Sequence, residues 1–196
     1  MLHTRKNAGH KFLFSSLLFA SIFFASRAEV RFSNSGEPGL PKEKMTRLRF
    51  YVQDFTGGEK RTVWRVAQSN LTNILPSNFG LVAVLDNLVT SGPEMNSREV
   101  GRMQGVIGMA DMRVKALVML LNVVFTKGEY KGSTISILGR NPLDDEVREV
   151  PVVGGTGAFR MARGYVITNT YSKNDTYGVF EYNVVIWHLD GQVAYE

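Results

Sequence analysis

Val184-Val185-Ile186-Trp187, at the centre of the run 178–189, is apolar at every position, and Val82-Ala83-Val84-Leu85 within 80–90 repeats the pattern. Successive side chains of a strand point to opposite faces, so such runs are apolar on both sides. A simple sandwich would leave one face wet. Two apolar faces fit a barrel with a greasy interior whose outside is partly covered by other subunits. Seven further β-rich runs lie at 46–55, 62–68, 99–110, 116–126, 133–138, 147–153 and 158–171. They are separated by turn residues at Gly57-Gly58, Leu75-Pro76-Ser77-Asn78, Ser91-Gly92-Pro93, Lys127-Gly128-Glu129, Gly139 to Pro142, Gly154-Gly155-Thr156-Gly157 and Asn174-Asp175. Residues 116–126 also suit a helix by propensity, but the short turns on either side favour strand. Many strands of similar spacing without intervening helices predict an all-β fold, a closed antiparallel barrel or a sandwich.

The 196 residues suffice for one sizeable core. Residues 1–28 read as a secretory signal peptide: Arg5, Lys6 and Lys11 lead into the apolar run 12–25, and no acid precedes Glu29. That run of about fourteen residues is shorter than the roughly 20 that a bilayer span needs. Ser26-Arg27-Ala28 supplies small residues for cleavage after Ala28, so the mature protein is expected to be extracellular and free of the membrane. Residues 29–45, rich in Gly, Pro, Ser and charge, read as a flexible tail, and 46–196 as the single domain.

Removing the leader takes away four of the 23 basic residues, leaving 19 against 18 acidic ones. A nucleic-acid partner is therefore not expected, since the net charge of +5 comes mostly from the leader. The mature chain keeps one histidine, His188, and no cysteine. This argues against Ser-His-Asp and Cys-His nucleophiles and leaves no metal-ligand set, and no cofactor motif is present. Gly154-Gly155-Thr156-Gly157 lacks the Lys-Ser/Thr and the strand-to-helix context of a phosphate loop, so it reads as a tight inter-strand turn. Asn70-Leu71-Thr72 and Asn174-Asp175-Thr176 are glycosylation sequons expected on exposed turns.

Alternation in the first strand puts Leu48, Phe50, Val52 and Asp54 on one face. Asp54 is then either an acid at the rim of an apolar cavity or a cap on the turn that follows. Asp86 shares parity with Val82, Val84 and Leu88 and has the same two readings, the turn role being favoured. Arg148 shares parity with Val150 and Val152; it either enters the apolar side, where it needs a carboxylate or ligand oxygen, or pairs with Glu149 in solvent.

The ordered blocks Phe79-Gly80 to Leu85-Asp86, Val100 to Gly105, Phe125 to Thr134, Gly139-Arg140-Asn141-Pro142, Arg148 to Gly157 and Ala162 to Tyr165 resemble the plant dirigent family over residues 47–189. The resemblance implies an eight-stranded up-and-down antiparallel barrel, a homotrimer secreted to the plant cell wall, glycosylated, and without a cofactor. It implies phenolic ligands such as coniferyl alcohol radicals, supplied by a separate laccase or peroxidase and coupled stereoselectively. It assigns Asp54 as the pocket acid, Arg148 as the pocket cation and Thr170 as a lining residue. Asn141 stands where lignan-forming members carry Asp, and Ile107 near where many have an aromatic, which places the chain nearer the larger dirigent-like group. Two other readings stay open: a dehydratase or cyclase on a preformed phenolic or isoflavonoid, and a noncatalytic scaffold for lignin deposition.

Overall fold

A computed structural model describes residues 42–190. The leader and most of the 29–45 tail lie outside the described residues. Nine strands follow one another: β1 (Glu43–Phe55), β2 (Val63–Ala67), β3 (Val82–Thr90), β4 (Glu99–Met109), β5 (Ala116–Phe125), β6 (Thr134–Pro142), β7 (Arg148–Thr156), β8 (Arg163–Lys173) and β9 (Tyr177–Leu189). From β3 to β9 each strand pairs antiparallel with the next, and β1 lies between β9 and β3, closing eight strands into a barrel. The short β2 pairs with the first half of β3 and stays outside the closed ring. The eight-stranded antiparallel barrel is thus the observed fold.

Interior-facing side chains fill most of the barrel with Phe50, Met103, Val123, Ile135, Ile137, Val150, Val166 and Ile186, each almost fully buried. One end is plugged. After β7 a single 3-10 turn, Gly157–Phe159, drops Phe159 against Tyr130, Phe125 and His188, with ring centroids 4.7, 5.3 and 5.3 Å away. Here the structure corrects the sequence reading, because Gly154 to Thr156 continue β7 and the corner begins only at Gly157, whose φ is +61°. A Cβ on Gly155 would lie 2.5 Å from the Phe159 carbonyl oxygen, so glycine is what lets the plug close. His188, the strand histidine, is buried beneath that plug, with Nε2 2.9 Å from Thr46 Oγ1.

Two other boundaries differ from the sequence reading. Gly139 to Pro142, read as punctuation, are the last rungs of β6, because β5 extends far enough to pair Ala116 with Pro142. β1 starts at Glu43, three residues before the expected domain start, because β9 runs on to Leu189 and offers ladder partners to Glu43, Lys44 and Met45.

The outer surface carries an apolar row. Trp64, Val84, Val106, Leu120 and Leu138 are cross-strand partners on five successive strands, and their exposures lie between 38% and 55%.

Candidate functional site

Opposite the plug the barrel opens into a cavity of about 260 Å³. Its walls are largely apolar, with Val52, Leu85, Met103, Ile107, Leu117 and Met119 among them, and its polar groups come from six of the eight barrel strands. β1 supplies Asp54, β3 Asn87, β6 Asn141, β7 Arg148, β8 Thr168 and Thr170, and β9 Tyr182.

Among the described residues, Asp54 is the only carboxylate lining this cavity. It continues the inward face of Phe50 and Val52, so alternation alone delivers it to the mouth. Burial raises its pKa, opposed by a hydrogen bond from Asn87 and by the charge of Lys173. Asn87 is buried and held from both ends: its Nδ2 donates to Asp54 Oδ1 at 2.8 Å, and its Oδ1 accepts from the Thr62 hydroxyl. Thr62 Oγ1 in turn accepts from the Phe55 amide at 3.2 Å. This relay occupies one oxygen of Asp54 from within the wall.

Arg148 is buried, and no carboxylate among the described residues forms an ion pair with it. Its Nη2 donates to Thr170 Oγ1 at 3.1 Å and its Nε to the Thr168 carbonyl at 3.4 Å, while its guanidinium carbon lies 5.8 Å from the Phe180 ring centroid. Burial lowers its pKa, yet a guanidinium starts high enough to stay charged near neutrality. Tyr182 stacks on Phe50 with centroids 5.6 Å apart; its phenol is pushed up to about 12, first by burial and then by the charge of Asp54. Asn141 is buried with its Oδ1 lacking a hydrogen-bond partner among the described residues. An orphaned acceptor in a cavity wall is costly unless a ligand donates to it.

Asp54, Arg148, Asn141, Thr170 and Ile107 therefore meet in one cavity. Asp86 does not. It sits in the middle of β3, facing outward, where Arg102 Nε donates to its Oδ1 at 2.8 Å and Gln104 Nε2 at 3.2 Å; it neither lines the cavity nor caps a turn. The inward parity in this strand belongs to Leu85, Asn87 and Val89. Both sequon asparagines lie on exposed turns, Asn70 before β3 and Asn174 between β8 and β9. Sequence reasoning missed Asn87, Tyr182 and Lys173. A register shift between Thr170 and Ser172 hides Lys173, since Thr170 and Lys173 have opposite parity yet both line the cavity.

The chain matches the family model described as Dirigent-like protein over residues 45–187. It is 45% identical over 178 residues to Dirigent protein 21 of Arabidopsis thaliana, covering 90% of this chain and 94% of that protein. It is 42% identical over 155 residues to Pterocarpan synthase 1 of Glycyrrhiza echinata, covering 76% of this chain and 81% of that one. The solved structure of a pterocarpan synthase dirigent protein superposes with a TM-score of 0.72 at 37% identity, over 79% of this chain and 90% of that one. With an eight-stranded barrel, a cavity at its open end and this match over nearly the whole described chain, the protein belongs to the dirigent family.

Proposed function

We propose that the barrel binds one phenolic molecule and controls the stereochemistry of its ring closure, with Asp54 as the acid and Arg148 as the polar anchor. The supporting observation is that Asp54 is the single carboxylate among the described residues lining a largely apolar cavity, with burial raising its pKa. Protonated Asp54 gives its proton to a benzylic hydroxyl as the C–O bond breaks and water leaves. The electron-poor carbon that remains is stabilised as the quinone methide form of the phenol. A second hydroxyl of the same molecule adds to that carbon from the face left open by the wall, and its proton returns to Asp54. The net change is loss of water, and no oxidant is needed. Asn141 Oδ1 accepts a phenolic hydrogen on the far side, and the cavity wall excludes the other face of approach.

The similarity to proteins named pterocarpan synthase supports an isoflavonoid substrate for this step. Family membership also supports the second reading, stereoselective coupling of coniferyl alcohol radicals delivered by an external laccase or peroxidase. A carboxamide at Asn141 weakens it, since an amide cannot deliver a proton as a second acid would. The test is chiral chromatography of two incubations with purified protein: an isoflavonoid carrying a benzylic hydroxyl, without oxidase, and coniferyl alcohol with laccase. Enantiomeric excess in the first, lost in Asp54→Asn, supports the dehydratase. Excess only in the second favours coupling. Racemic or unchanged material in both leaves the noncatalytic scaffold. The dehydratase rate is also expected to fall as pH rises through the pKa of Asp54, because only the protonated acid acts.

The remaining expectations join this proposal: secretion to the cell wall, and assembly as a homotrimer. The trimer is supported by the apolar row Trp64, Val84, Val106, Leu120 and Leu138, a contiguous outer patch of the kind that marks protein contacts.

A further inference from the structure

The β8–β9 turn bears two features at once. Asn174 and its neighbours Lys173 and Tyr177 line the mouth of the cavity, and Asn174-Asp175-Thr176 is a glycosylation sequon with an exposed acceptor. The carboxamide oxygen of Asn174 is committed to the turn, accepting from the amides of Tyr177 and Thr176 at 2.9 and 3.0 Å. With the oxygen turned into the loop, Nδ2, the atom that bonds to sugar, lies on its other side. The turn is also fixed to the neighbouring end of β1, since the amides of Thr56 and Gly57 both donate to the Thr176 carbonyl, at 2.9 and 3.2 Å. A bulky group rooted on Asn174 therefore could not swing away with its loop.

We propose that Asn174 carries an N-linked glycan which stands over the mouth of the barrel and screens by size what enters the cavity. The bond made joins Nδ2 to the anomeric carbon of an oligosaccharide carried on a lipid pyrophosphate; the pyrophosphate leaves and the amide loses one proton. The hydrated, branched sugar narrows an entrance whose protein rim is made of side chains. Because it obstructs entry and exit alike, it changes rates of access rather than the affinity of a ligand once inside. The idea requires passage through the secretory route, as the leader implies, and stands apart from the proposed chemistry. The second sequon, at Asn70, lies on a turn that does not line the cavity and serves as an internal control.

The chain contains no cysteine, so a single one placed in the cavity wall reports access without any ligand. Leu117→Cys, with Ile107→Cys as a second reporter should the first fail to fold, is produced in a secreting plant or insect host, and Asn174 occupancy is read by peptide mass spectrometry. Alkylation is timed with a small reagent, iodoacetamide, and a bulky one, fluorescein maleimide. Endoglycosidase trimming is expected to speed the bulky reagent several-fold and leave the small one unchanged. Thr176→Ala, which removes the sequon but keeps Asn174 in the rim, is expected to match the trimmed protein, and Asn70→Gln to match the untrimmed one. An unoccupied Asn174 in secreted protein, or equal maleimide rates before and after trimming, would overturn the proposal.

Discussion

At Asp54 the environment that suits the residue for chemistry works against the fold. Burial holds the charged carboxylate at a disadvantage, so its folded pKa exceeds its unfolded one. The sign follows: the protonated form favours folding at low pH, and that contribution is lost as pH rises through the folded pKa. Asp54→Asn is therefore expected to raise the melting temperature at pH 7, the gain shrinking as pH falls through the folded pKa and vanishing below about pH 4, where the wild-type acid is protonated in both states. Differential scanning fluorimetry across that range checks it. Asn87 acts in the opposite sense, since its amide favours the charged form of Asp54. Removing it in Asn87→Leu is expected to move the alkaline limb of the rate profile to higher pH and, by leaving Thr62 and Asp54 without their partner, to cost about 1–3 kcal/mol of stability. Asp54 was legible because only one parity of its strand reads as apolar as far as Val52. Asn87 was not, because both parities of β3 are apolar, Ala83, Leu85 and Val89 against Val82, Val84 and Leu88, so alternation could not tell inside from outside and pointed to Asp86 instead.

Most of the strands were readable one by one, since the runs of β-branched and aromatic residues became strands with ends within a few positions; the exception is the run expected from Ala158, whose first five residues form the 3-10 turn and corner that precede β8 at Arg163. Where the reading failed, partners decided. Gly139 to Pro142 look like a turn by composition, yet β5 supplies rungs that hold them extended. The irregularity at Thr170 and Ser172 in β8 likewise leaves no trace in composition, although it brings both Thr170 and Lys173 to the cavity. The 3-10 turn at the closed end is the clearest case, a single residue sealing a barrel end. Phe159→Ala is expected to cost about 3–5 kcal/mol, the usual range for emptying a buried phenylalanine site. Chemical denaturation measures this, and the loss of packing on His188 is expected to appear as a shifted imidazole resonance.

The whole barrel shows why both faces of its strands are apolar: one lines the core and cavity, the other forms the outer row across β2 to β6. Under the trimer proposal, a charge placed in that row, as in Leu120→Glu, is expected to yield monomer in sedimentation velocity while the isolated barrel keeps its β-sheet circular dichroism. A trimer that survives the substitution would move the contact elsewhere on the surface.

The longest ladder in the molecule joins its first strand to its last, Glu43–Phe55 against Tyr177–Leu189 over thirteen rungs. That arrangement imposes a schedule. Until the last strand emerges, β1 has neither its main partner nor a closed wall to shelter Phe50 and Val52. At about 5–20 residues per second, translation alone keeps it waiting on the order of ten seconds. Barrel closure is therefore a late event that depends on the far end of the chain, so a protein truncated before Tyr177 is expected to engage chaperones rather than fold into a smaller barrel.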